Sequence, residues 1–163
     1  MQLYFYGKEK KHTSSDTDSL ICKAVCSYTG KAFTESIRRT GKGKPYIENG
    51  LFIGASHTLS TVVIGVDEKN FGIDCEDPTR TVRDRELITK RFFSEDETRY
   101  IQSFPEDKRD RAFLELWVKK EAYVKFTGDG LSGISKTDVT KLRGFEKVPN
   151  DYGLIIYIYK ENA

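Results

Sequence analysis

Residues 59–76 place the strongest constraint on how this chain can fold. Two short apolar runs, residues 59–66 and 71–76, are separated only by Asp67-Glu68-Lys69-Asn70. Runs of this kind read as buried strands, and a four-residue polar break between them predicts a hairpin at the centre of a sheet. Side chains alternate along a strand, so Asp74 and Glu76 leave one face together while Ile73 and Cys75 point to the other. Two carboxylates thus emerge side by side from an otherwise buried segment.

The remaining pattern surrounds that sheet with helices and further strands. Leu3 and Phe5 alternate with Tyr4 and Tyr6 as an opening strand, and a helix after Asp18 buries Leu20, Ile21, Ala24, Val25 and Tyr28. Gly41-Lys42-Gly43-Lys44-Pro45 reads as a loop in which Pro45 forces Lys44 into an extended conformation. Beyond Pro78 the pattern turns helical, and Ser94 with Glu97 forms a capping box that starts a helix carrying Tyr100 and Ile101. A longer helix from about Pro105 to Phe126 places Leu114, Trp117, Glu121 and Lys125 on one stripe. Gly128 and Gly130 end it, and residues 154–159 form a closing strand.

A length of 163 residues suits one domain, or two small halves sharing a core. Lys and Arg number 27 against 25 Asp and Glu, a balance that argues against a chain built to coat nucleic acid or an anionic membrane. The first 50 residues nevertheless carry +4 and the rest −2, which offers cations to a small polyanion such as a nucleotide. No apolar run approaches the roughly 18 residues of a membrane span, and the opening residues lack a secretory pattern. Cys22, Cys26 and Cys75 are odd in number and lack a CxxC spacing, so neither a disulfide framework nor zinc is expected. These features predict a cytoplasmic protein with no membrane and no nucleic-acid partner.

With only His12 and His57 present, a metal site must be built from oxygen ligands, which points to magnesium or manganese. If the long helix packs on the sheet, Glu121 approaches Asp74 and Glu76. Three carboxylates a few ångströms apart repel by about 1 kcal/mol per pair in water and by several times more when partly buried, so they need a cation or a proton between them. Magnesium takes carboxylates together with phosphates and waters. Acids at strand ends are more often solvated or ion-paired, and spacing alone leaves both readings open. Lys125 can likewise pair with Glu121 one turn earlier, and Trp117 and Cys75 read first as packed interior residues.

An ordered series of motifs carries a resemblance. Gly43-Lys44-Pro45 and Ser56-His57 precede Gly72-Ile73-Asp74-Cys75-Glu76. Arg91-Phe92-Phe93-Ser94 with Glu97 follows, then Trp117-Val118-Lys119-Lys120-Glu121-Ala122-Tyr123-Val124-Lys125, then Gly128-Asp129-Gly130-Leu131-Ser132. Over about residues 43–132 this series resembles the 4′-phosphopantetheinyl transferase family in its surfactin-synthetase-type branch. The family has a G-[IV]-D-x-E strand and, about forty residues on, a W-x-x-K-E-[AS]-x-x-K helix, and the GKP and SHS segments upstream are those of that branch. The chain departs at Phe52-Ile53-Gly54-Ala55-Ser56-His57-Thr58, where the family's F-N-x-S-H-S loses its asparagine and ends in threonine.

The resemblance implies a magnesium-dependent transferase, with manganese as a substitute ion, that moves the 4′-phosphopantetheine group of coenzyme A onto a serine of an apo acyl or peptidyl carrier protein and releases 3′,5′-ADP. It implies Asp74, Glu76 and Glu121 as metal ligands, and Glu121 and Lys125 as the catalytic pair. Lys44, Pro45, Ser56, His57, Asp74 and Lys125 become the coenzyme-binding residues; Lys10, Lys11, Arg38 and Arg39 are weaker candidates for its adenine-side phosphate. The implied fold is α+β, a single transferase domain over residues 1–163. It has two lobes of about 1–68 and 69–163 related by a pseudo-twofold, each an antiparallel sheet packed against a long helix, in a monomer. A degenerate member that binds coenzyme A or the carrier protein without catalysis is the alternative.

Overall fold

The computed structural model describes residues 1–8, 13–48, 50–135 and 137–161; Lys10, Lys11 and His12 lie outside them. In chain order the elements are β1 (Gln2–Gly7), α1 (Ser14–Thr29), β2 (Arg38–Arg39), β3 (Pro45–Tyr46), β4 (Phe52–His57), β5 (Thr61–Asp67) and β6 (Gly72–Glu76). They continue with α2 (Arg85–Phe92), α3 (Glu95–Gln102), α4 (Glu106–Thr127), α5 (Leu131–Ile134), β7 (Phe145–Lys147) and β8 (Ile155–Tyr159). The class is α+β, with antiparallel pairing throughout these strands.

Two three-stranded sheets form the centre, ordered β1-β5-β4 and β6-β8-β7. In each, the last strand in sequence lies in the middle. Both middle strands are buried along their whole length because each has a packed layer on either side. Val62, Ile64 and Val66 face α1 through Ile21, Ala24 and Val25. Val63 points the other way, into a cluster with Phe71, Ile73, Cys75, Ile156 and Ile158 that joins the two sheets. Ile155 and Tyr157 meet Leu114 and Val118 of α4.

The expected hairpin across residues 67–70 does not form. β5 already pairs with β1 on one edge and β4 on the other, which leaves it no edge for β6. The chain instead crosses to the second sheet, where β6 pairs with β8 as an edge strand. Phe71 makes the crossing as a fully buried wedge. Gly54 and Gly65 lie opposite each other in the β4–β5 register, and a Cβ on either would come within 2.7 Å of the Phe71 ring.

Local signals fix the helices. α1 begins with a capping box from Thr13 and Asp16 and ends at Gly30 in the left-handed region. α3 begins with the predicted capping box, Ser94 with Glu97. Glu97 does more than cap: it and Lys120 are both 0% exposed and form an ion pair at 2.8 Å. The second Glu97 oxygen accepts from the Val139 backbone N–H at 2.9 Å, while Lys120 donates to the Ile134 and Thr137 carbonyls. The pair therefore ties α3, the middle of α4 and the segment after α5 together.

Removing one partner of a buried ion pair strands the other charge, at a cost of about 3–5 kcal/mol. Glu97→Ala is expected to lose that much in urea denaturation, whereas the double change Glu97→Leu with Lys120→Met loses much less. A single-variant loss near zero would contradict the role given to the pair.

Candidate active site

The motif residues meet where β4, β6 and α4 approach one another. β6 turns Gly72, Asp74 and Glu76 toward α4, with Ile73 and Cys75 packed between the sheets. Gly72 permits the close approach, since a Cβ there would stand 1.8 Å from the Ala122 carbonyl oxygen and 2.5 Å from the Phe126 nitrogen. Glu121 and Lys125 flank that contact point on α4 and so reach the β6 acids.

Asp74 is the hub. Its Oδ1 accepts from Ser56 Oγ at 2.6 Å and from Lys125 Nζ at 2.7 Å. Lys125 also donates to the Ala55 carbonyl at 3.2 Å, and the Cys75 N–H donates to Ser56 Oγ at 3.1 Å. Lys125 thus pairs with Asp74 across the helix–strand junction rather than with Glu121 along the helix. Burial alone would lower the Lys125 pKa, but the charge and hydrogen bond of Asp74, followed by Glu121, hold it above the usual lysine value.

Glu76 forms an ion pair with Arg80, and its Oε1 accepts from the Asp77 N–H at 3.1 Å. The Glu121 carboxylate has no hydrogen-bond or ion-pair partner among the described residues. Burial first and the Asp74 charge second raise its pKa, partly offset by Lys125. Burial also pushes the Cys75 thiol up to about 12, which makes it a packed, unreactive group.

A cleft of about 440 Å³ is lined by Ser56, His57, Asp74, Glu76, Glu121 and Lys125 together, with Arg39 and Thr17 also on its wall. Glu121, Lys125, Ala55 and Pro45 separate it from a narrower cavity of about 300 Å³ floored by Ile53, Gly54, Phe71 and Val124. Lys44 lines this second cavity and stays out of the cleft: its ammonium donates to Asn70 Oδ1 at 3.1 Å, and burial lowers its pKa. A roomier hollow of about 740 Å³ among α2, α3 and the start of α4 is lined by Phe93 but by none of the predicted site residues.

Of the predicted site residues, the structure brings together Ser56, His57, Asp74, Glu76, Glu121 and Lys125, places Pro45 on the partition, and sets Lys44 beyond it. Among the described residues no three acids, cysteines or histidines are drawn together as a ready-made metal cage. Glu97 and Lys120 lie buried away from the cleft. Trp117 stacks on Phe113 while one edge lines the cleft. Arg38 pairs with Glu48, and Arg39 with Asp18. Sequence reasoning passed over Arg80 and Asn70: the partners of Asn70 are 26 and 56 residues away, and Arg80, only four residues from Glu76, lies past a strand end and a turn where that spacing carries no helical meaning.

A carboxyl whose pKa is raised on folding stabilises the protein at low pH, and that contribution is lost as pH rises through the folded value. Glu121→Gln is therefore expected to raise the thermal midpoint near about pH 7, with the gain vanishing toward the ordinary value of 4.5. A lowered midpoint at neutral pH would refute the strain assigned to Glu121.

A family model described as the 4′-phosphopantetheinyl transferase superfamily matches residues 70–152. The chain is 35% identical over 131 residues to a 4′-phosphopantetheinyl transferase of Bacillus subtilis, covering 78% of this chain and 57% of that protein. It is 33% identical over 104 residues to the 4′-phosphopantetheinyl transferase HetI of a Nostoc species, covering 60% and 44%. With the 4′-phosphopantetheinyl transferase psf-1 of Bacillus pumilus it shares 37% over 95 residues, covering 56% and 39%. The chain spans about half the length of the curated relatives it matches. The acidic strand β6 and the lysine-bearing helix α4 both fall within residues 70–152, and the chain belongs to the 4′-phosphopantetheinyl transferase superfamily.

Proposed function

We propose that the chain transfers the 4′-phosphopantetheine group from coenzyme A to a serine of an apo acyl or peptidyl carrier protein, releasing 3′,5′-ADP. The observation that carries this reading is the convergence of Asp74, Glu76, Glu121 and Lys125 on one cleft in a member of this family. Hard carboxylate oxygens, with the Glu121 charge destabilised by its surroundings and by Asp74, fit a divalent cation. In this reading Asp74, Glu76 and Glu121 hold magnesium, or manganese in its place, which when bound neutralises charge on the phosphate oxygens.

The chain's own groups do the rest. The serine Oγ forms a bond to the pantetheine-side phosphorus as the bond from that phosphorus to the departing 3′,5′-ADP oxygen breaks. Glu121, made more basic than an ordinary carboxylate, takes the serine proton. Lys125, held charged by Asp74, offsets negative charge developing on the phosphoryl group. Ser56 orients Asp74 through its 2.6 Å hydrogen bond, and His57 stands at the exposed rim for a phosphate of the coenzyme. Lys44 and Pro45 serve the adjoining cavity, where an uncharged part of the coenzyme lies against Ile53 and Phe71.

We further infer two lobes, about residues 1–68 and 69–163, related by a pseudo-twofold; the shared strand order supports this. The cleft draws its groups from both halves of one chain, which supports action as a monomer. Three free cysteines suit a reducing cytoplasm. No helix among the described residues is long and apolar enough to cross a membrane. One observation favours a second reading, binding without catalysis: Asp74 and Glu76 are both already paired with cations.

Incubation with coenzyme A, magnesium and an apo carrier protein, followed by mass spectrometry of the carrier, separates the two. The transferase adds one phosphopantetheine, and Asp74→Ala abolishes the addition while circular dichroism shows the fold retained. Lys125→Ala is expected to lower kcat more than it raises KM. Coenzyme binding with no mass gain in the unaltered protein would establish the second reading.

A further inference from the structure

Arg80 stands apart from the groups already assigned. It lies between β6 and α2, on the stretch after a turn in which Asp77 Oδ1 accepts from the Thr79 N–H at 2.8 Å. Its guanidinium pairs with Glu76 and lines the same cleft as Asp74, Glu121 and Lys125. With the Asp77 N–H on the other oxygen, both oxygens of the Glu76 carboxylate are engaged. The two cations differ in how they are held: Lys125 is bound to Asp74 and to the Ala55 carbonyl, whereas the Arg80 side chain is 56% exposed and has Glu76 as its sole ion-pair partner among the described residues.

We propose that Arg80 is the resident counter-ion of Glu76 in the free protein and must yield that carboxylate before a divalent cation can use it. The inference rests on the metal reading given above and adds to it a competitor built into the chain. Asp74, Glu76 and Glu121 share this cleft with Arg39, Arg80 and Lys125, so the free site is close to neutral and the entering ion trades places with a guanidinium. The guanidinium is more than half exposed while Glu76 is largely covered, so it is Arg80 that swings away into water, and the released charge is left at the rim. Arg80 therefore acts through Glu76 and is a positioning residue, setting how tightly the ion is held.

The test titrates the full, metal-free chain with manganese(II) alone, following the free ion by electron paramagnetic resonance. At low salt Arg80→Ala is expected to bind manganese about two- to fivefold tighter than the unaltered chain. Arg80→Lys, which keeps the charge, is expected to gain less, and the difference shrinks as added salt screens the native pair. In a Glu76→Ala background Arg80→Ala changes nothing further. Arg80→Gln replaces the alanine variant if the latter shows an altered thermal midpoint. Equal or weaker binding by folded Arg80 variants, with manganese still bound by the unaltered chain, overturns this inference alone. No manganese binding by any variant overturns it together with the metal reading.

Discussion

The site depends on one missing side chain. At Gly72 the backbone of β6 lies so near the Ala122 carbonyl that no Cβ fits between them. That contact sets the spacing from which the 2.7 Å Lys125–Asp74 bond follows. On the other flank of α4, Lys120 is locked to Glu97 and to two carbonyls, Ile134 at the end of α5 and Thr137 beyond it. Adjacent residues on a helix point about 100° apart, so anchoring Lys120 on one side aims Glu121 at the cleft on another. Position and rotation of the helix are thus fixed by independent contacts, one steric and one electrostatic.

Much of the fold was legible because its signals are local. Alternation in β1 and β6, the capping box at Ser94, the length of α4 and its glycine stop all depend on near neighbours in sequence. The hairpin between β5 and β6 was misread for the complementary reason. An apolar run reports that a strand is buried and says nothing of which strands flank it, and here β1 and β4 had filled both edges of β5. The three-residue β7 is too short to announce itself, and its pairing depends wholly on β8.

The site divides in the same way. Asp74, Glu76, Glu121 and Lys125 were found because they sit at fixed spacing on two regular elements, in an order that matches a family pattern. Lys44 belonged to the same pattern, but its ammonium is claimed by Asn70 and the Phe126 carbonyl, partners 26 and 82 residues away. Lys120 belongs to the helix motif in sequence, where nothing local separates it from Lys119 beside it. Its complete burial is a tertiary fact, since lysines are almost never fully buried unless paired, and the pairing glutamate had been read as a cap.

The wedge at Phe71 has a consequence for how such a sequence can change over generations. Its ring occupies space left empty by two hydrogens, at Gly54 and Gly65 on neighbouring strands. Enlarging Gly65 requires a smaller residue at 71, enlarging Gly54 requires smaller residues at both 71 and 73, and shrinking 71 alone opens a hole just upstream of the strand that bears Asp74. Positions 54, 65, 71 and 73 are therefore inherited as one trait: a lineage crosses from one solution to another only by coordinated replacement, and each single step on the way passes through a less fit intermediate.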